Sequence, residues 1–271
     1  MAVSALLLAL AAACVHALWN VLLARAPDSE AATAVALVVA EVVFAPVAVL
    51  LWDMDASVWP YLIASGALQL VYFTLLATAY RVAALSVVYP VARGTAPVLV
   101  LVAAVVALGR GTSAGQVLGV VLVGIGILLV RGLSRGPGVG LGLAIACVIA
   151  TYTLVDKEGV MRAGAIPYLE VSMLIPTVVY ASAVARAKGV SALRAQAGRS
   201  TAVAGISTFG AYALVLLALQ RASAPSVAAV RETSVVLTAL LARQVLREQV
   251  GWARFTGAGA VAAGIALLAL A

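Results

Sequence analysis

The sequence is short of charge, histidine and cysteine. Only 10% of its 271 residues are Asp, Glu, Lys or Arg, against about 25% in an average soluble domain. That shortage excludes an ordinary water-facing surface over most of the chain. The single histidine and the lack of any Cys/His/carboxylate cluster at ligand spacing argue against a metal site. Cys14 and Cys147 both sit in apolar runs and read as small buried residues rather than a disulfide. No basic cluster is interleaved with aromatics, so the net charge of +7 does not point to nucleic acid. No catalytic constellation assembles: Ser, Thr and Cys are scattered without a base in reach. The Gly-rich "GVGLGLA" (138–144) lacks the Lys-Ser/Thr of a phosphate loop. No cofactor is implied.

What is present is apolar. Hydrophobic residues make up 65% of the chain and the mean hydropathy is +1.17, which points to a polytopic membrane protein. The opening stretch has no Lys or Arg before its apolar run, and that run extends from Val3 to Ala24. It reads as a first transmembrane helix, not a signal peptide. Apolar stretches separated by short polar breaks give ten spans: 3–24, 31–52, 59–79, 84–108, 115–130, 138–157, 166–186, 201–220, 225–246 and 252–271. All are expected to be helical, because an open strand edge cannot survive in hydrocarbon. "RGLSRGPGVG" (131–140) bisects the chain, and 186–200 is the longest loop.

The two halves echo each other. "ACVHALW" (13–19) aligns with "ACVIATY" (146–152), "AYRVAALS" (79–86) with "LQRASAPS" (219–226), and "VARGTAPVL" (91–99) with "AVRETSVVL" (229–237). Gly119 and Gly126 align with Gly257 and Gly264. Five spans per repeat is an odd number of crossings, so the second copy enters from the opposite side. The expected fold is an all-α integral membrane protein of ten transmembrane helices in two inverted five-helix repeats, 1–135 and 136–271. In transporters such repeats place the substrate near the midplane, between the halves.

"HALWNVLLAR" (16–25), "YPVARGTAP" (89–97), "YTLVDKEGV" (152–160) and "RETSVVLTALLARQVLRE" (231–248) carry a resemblance to the EamA-type transporters of the drug/metabolite transporter superfamily. The likeness runs over essentially the whole chain, as two repeats. It implies that spans 1, 3, 4, 6, 8 and 9 surround a central cavity, with spans 5 and 10 at the periphery. It implies export or exchange of small metabolites, often amino acids. The "HALWN" and "YPVARG" wording also resembles a branch associated with phosphonate metabolism. One departure is visible: the second half carries Glu248 after its fourth span, whereas the first half carries Arg110.

The polar residues inside the spans are the candidates for chemistry. Arg93 lies about 13 Å into span 4 at ~1.5 Å per residue, and Arg231 is its repeat equivalent. Burying an unpaired arginine costs about 2.5–3.5 kcal/mol on insertion scales. Three readings are open: snorkelling to the interface, a structural pair with a glutamate such as Glu41, or guanidinium forks for a carboxylate or phosphonate group. Pro90 and Pro97 are expected to break the helix around Arg93 and let it face a wet cavity. His16 and Asn20 share a helix face with Trp19 beside them, and they read either as packing or as ligand contacts. Tyr89 and Tyr152 could supply cavity hydroxyls; Tyr72, Tyr80 and Tyr212 share the alternative of an interfacial belt with them. Glu232 adjoins Arg231, but helix neighbours point about 100° apart, so another partner is expected for it. Glu41 and Glu170 are the candidates for carrying a proton, with Glu41 the deeper of the two. Asp156, Lys157 and Glu158 read as a solvated helix end.

Basic loop residues set orientation. They concentrate after odd-numbered spans, above all in 186–200, which would make those loops cytoplasmic and put both termini outside; the resemblance implies the reverse. The expected function is secondary transport of a small polar or anionic metabolite, such as an amino acid, organic acid or phosphonate, across the cell membrane by a monomer. The partners are that solute and the bilayer. An intramembrane enzyme would need a nucleophile or metal constellation, and a non-transporting scaffold gives no reason for paired arginines.

Overall fold

A backbone amide in hydrocarbon has no water to bond, so a chain this apolar must close its hydrogen bonds within helices. The computed structural model describes residues 1–82, 85–131, 138–234, 236–237 and 252–270. Among them no strand forms; the only bridge joins Met54 to Ala163. The helices are α1 Val3–Ala24, α2 Ser29–Leu50, α3 Trp59–Val82, α4 Leu85–Val102, α5 Ala114–Arg131, α6 Val139–Gly159, α7 Ala165–Lys188, α8 Val190–Ala195, α9 Arg199–Leu219, α10 Ala224–Arg231 and α11 Trp252–Leu270. Among the described residues, five stretches are long and apolar enough to cross a membrane: Ser29–Leu50, Ala56–Leu76, Val139–Gly159, Ala165–Lys188 and Arg199–Leu219. Val3–Trp19, Val91–Ala107, Ala114–Leu129 and Gly259–Leu268 are shorter apolar helices. The end of the ninth expected span, beyond Leu237, lies outside the described residues, as does Glu248.

Side chains are distributed inside out relative to a water-soluble bundle. The buried stripe of α1 is Ala5, Ala9, Ala12, Ala13 and Ala17, while Val3, Leu7 and Leu18 on the same helix are exposed. Leu50, Val106 and Ile63 also point outward. Lipid rewards no burial of large apolar groups, so small residues mark the seams where helix backbones approach closely. Cys14 and Cys147 are free and exposed on this outer surface, not buried as the sequence suggested.

Helix pairing is the same when the two halves are exchanged. α1 packs on α9 and α6 on α3; α2 packs on α9 and α7 on α3. α2 meets α7, and α5 meets α11. These last two pairs join repeat equivalents, and both are antiparallel. On α5, a Cβ at Gly119 would sit 2.8 Å from the Gly264 carbonyl, and one at Gly126 would sit 2.6 Å from that of Gly257. Numbers rise on one helix as they fall on the other. At one end of the α2–α7 pair, Asp28 and Glu30 bind Lys188 at 2.8 and 2.7 Å. At the other, the Gly164 amide donates to the Asp53 carbonyl at 2.7 Å. Asp28 also caps α2 through the Ala31 amide, and its hydrogen bond from Lys188 holds its carboxyl below the usual carboxylate range.

Two local expectations are corrected. α4 runs unbroken through Pro90 and Pro97, as α2 does through Pro46 and α7 through Pro176. A proline removes one amide donor, and a membrane bundle tolerates that loss because neighbouring groups re-satisfy the freed carbonyl. The irregular backbone falls elsewhere: a π turn at Ala103–Ala107 and a stop at Glu232, where the hydrogen bonding of α10 ends. The 186–200 connection contains α8, entered at Gly189 with φ 84°, a conformation that favours glycine.

The α9 seam gives a clean test of backbone approach. A Cβ at Gly205 would lie 2.2 Å from the Ala36 carbonyl of α2, whereas one at Gly210 meets nothing within 4 Å. Gly205→Ala is expected to destabilise the protein by about 1–3 kcal/mol through overpacking. Gly210→Ala should be neutral or slightly stabilising. Thermal unfolding of both variants in one detergent measures the contrast.

Candidate functional site

α1, α4 and α10 bring the charged residues of the two halves together. Nη1 of Arg93 on α4 donates to Oε1 of Glu232 at 3.0 Å. Arg231 Nη2 lies 3.3 Å from that same oxygen, and its Nε donates to it at 3.4 Å. The three side chains are at most 7% exposed, so Arg93 does not snorkel. Its carboxylate partner is Glu232, not Glu41. The neighbours Arg231 and Glu232 meet because α10 stops between them: Glu232 adopts φ −71°, ψ −4° as the C-cap, and the turn folds its carboxylate back. Glu232 Oε2 is buried without a hydrogen-bond partner among the described residues. Among the described residues, the cluster sets the Arg93 and Arg231 guanidinium groups against the Glu232 carboxylate.

His16 of α1 extends the network. Arg93 Nη2 lies 3.0 Å from His16 Nε2, and Trp19 Nε1 donates to His16 Nδ1 at 3.2 Å. Arg and Trp are donors only, and a neutral imidazole has one acceptor nitrogen. His16 cannot accept fully from both, and a second ring proton would face a donor on either side. The rings of His16 and Trp19 meet edge to face, centroids 4.8 Å apart. The side chains of Asn20 and Tyr89 lie outside the described residues.

α3, α6, α7 and α9 add a polar layer in which the sequence reading had the tyrosines as candidates but missed Asp156. Tyr152 of α6 is buried, with Tyr72 of α3 and Tyr212 of α9 each at 6.2 Å between ring centroids. An interfacial belt does not describe Tyr152. Asp156, one turn on from Tyr152, is fully buried and not part of a solvated helix end. It accepts a hydrogen bond from Tyr168 at 2.8 Å and another from Tyr212. Lys157 and Glu158 point away from that face and are half-buried. The signal for Asp156 was its i,i+4 spacing from Tyr152, masked by the two charged residues that follow it.

Glu41 and Glu170 do come together, but away from the arginines' helices. They face each other from α2 and α7, with Thr177 of α7 also beside Glu41.

The turns that follow even-numbered spans are laced shut. The Asp55 amide donates to the Arg162 carbonyl at 2.9 Å. Arg110, where the repeat would place a glutamate, binds Glu158 of the other half at 2.6 Å. Gln116 donates to Ser226 at 3.0 Å. On the opposite face the described link between halves is Lys188 with Asp28 and Glu30.

A helical membrane protein with a charged cluster sealed at the junction of two similar halves belongs among the multi-pass transporters. The chain belongs to the EamA-like transporter family, whose model matches twice, over residues 3–132 and 136–270. A solved structure titled only as a protein crystal structure is similar at TM-score 0.76 and 15% identity, covering 98% of each chain; that likeness speaks to the fold alone. None of the curated proteins matches the sequence.

The shared carboxylate makes Glu232 the most sensitive member of the cluster. Removing one partner of a buried ion pair costs about 3–5 kcal/mol, because it strands the other charge. Glu232→Ala strands two guanidinium groups and is expected to lower thermal stability more than Arg93→Ala. The double variant Arg93→Ala/Glu232→Ala should recover part of that loss. Unfolding midpoints of the three variants in detergent test the order.

Proposed function

We propose that this protein is a secondary transporter for a small anionic or zwitterionic metabolite, such as an amino acid, organic acid or phosphonate. The observation that carries the reading is that two buried arginines from opposite halves share one oxygen of the Glu232 carboxylate. A carboxylate or phosphonate offers paired acceptors that suit the guanidinium fork. Trp19, His16 and Tyr152 flank that point; Asn20 and Tyr89, whose side chains lie outside the described residues, are proposed as contacts from the sequence alone.

Alternating access suits the architecture. Antiparallel packing of α2 on α7 and of α5 on α11 supports two inverted repeats of five spans, ten in all, with α10 opening the ninth. In this reading the laced turns are the closed gate, and the face carrying Lys188 is the other gate. The excess of basic residues in 186–200 supports a cytoplasmic position for that face, with the protein in the cell membrane as a monomer and the solute exported or exchanged.

Purified protein in liposomes, offered a panel of amino acids, organic acids and phosphonates, tests the reading. Arg93→Lys keeps the charge and loses the planar fork. It is expected to weaken uptake of the best solute about tenfold, one lost charge-assisted bond, and nearly as much as Arg93→Ala does. Wild-type affinity in Arg93→Lys, with only stability changed in Arg93→Ala, would make the cluster structural.

A further inference from the structure

The seam between α2 and α7 holds a second polar cluster, on helices that contribute nothing to the arginine cluster. Glu41 is 8% exposed and Thr177 is 3% exposed. Both Glu41 oxygens, Oε2 of Glu170 and Oγ1 of Thr177 are buried without a hydrogen-bond partner among the described residues. Glu170 and Thr177 both lie against Glu41. They sit two turns apart on one face of α7, so the Glu41 carboxyl is aimed between them.

Among the described residues, no cation is placed to balance these carboxyls. α2 packs against α1, α7, α8 and α9, and α7 packs against α2, α3, α8 and α9. Between them these helices carry basic residues only near their ends: Arg81 on α3, Arg186 and Lys188 on α7, Arg194 on α8 and Arg199 on α9. Lys188 is bound to Asp28 and Glu30. The histidine of α1, His16, is bound to Trp19 and Arg93. The acidic group facing α7 from α6 is Asp156, through the Tyr168 hydroxyl. Two facing carboxylates in such surroundings cannot both remain ionised. A calcium or magnesium ion would seek six or more oxygens, and the seam offers two carboxyls and one hydroxyl.

We propose that Glu41 and Glu170 share a single proton and form a proton-binding site at the α2–α7 seam. One carboxyl O–H donates to the other carboxylate, and the pair carries one negative charge. Release breaks that O–H bond, passes the proton to water and leaves two negative charges, which drive α2 and α7 apart. Because these are equivalent helices of the two halves, the proton acts as a latch between the halves. The site itself stands on the seam; only the transport that it would drive rests on the transporter reading.

Infrared spectroscopy of the purified full-length protein in detergent tests the proposal through the carboxylic-acid C=O band during a pH titration. The wild type should show a protonated carboxyl at neutral pH that disappears as pH rises. Glu41→Gln and Glu170→Gln should each lose that band entirely, because the new amide donates to the remaining carboxylate in place of the shared proton. A wild type without the band at neutral pH overturns the proposal, and this measurement stands even if a variant fails to fold. A band that persists in either variant shows independent carboxyls and also overturns it. A band that vanishes at constant pH on adding sodium assigns the seam to a metal cation instead. Failure of the protein to move any solute in liposomes would overturn the transporter reading and leave these spectra unchanged.

Discussion

One carboxylate oxygen, Glu232 Oε1, holds two buried guanidinium groups from opposite halves of the chain. A charge in hydrocarbon is tolerated only with a partner or water, so this contact governs how the rest can be arranged. Arg93 must stay on the inner face of α4, and α10 must stop where its carboxylate can turn back. α1 must bring His16 to the second nitrogen of the Arg93 fork.

The seams obey a different constraint. Packing in lipid gains little from hiding large apolar groups, and the buried stripe of α1 is alanine while leucine and valine face outward. Gly119 against Gly264 and Gly126 against Gly257 bring the α5 and α11 backbones together. Such seams bring the backbones of the two halves close, and polar groups supply the directional contacts. At the α2–α7 seam, that hold runs from the Asp28–Lys188 bridge at one end to the Asp53–Gly164 hydrogen bond at the other, with Glu41 and Glu170 between.

The sequence by itself determined an all-helical membrane chain built as two repeats, and the identity of the unusual charges. The reason is local: hydrocarbon forbids unpaired backbone groups, so span length and hydropathy register directly, and an arginine at depth stands out against valine and alanine. Partnership was decided only by tertiary structure. Arg93 and Glu232 are 139 positions apart, and the choice of Glu232 over Glu41 depends on which helices cross and where α10 ends. Pro90 and Pro97 looked like helix breaks because proline lacks an amide, yet α4 runs unbroken through both. Asp156 looked solvated because Lys157 and Glu158 follow it, yet one turn of helix separates a buried face from an exposed one. Contacts between distant elements set the environment of each charge, and no local pattern in the chain encodes them.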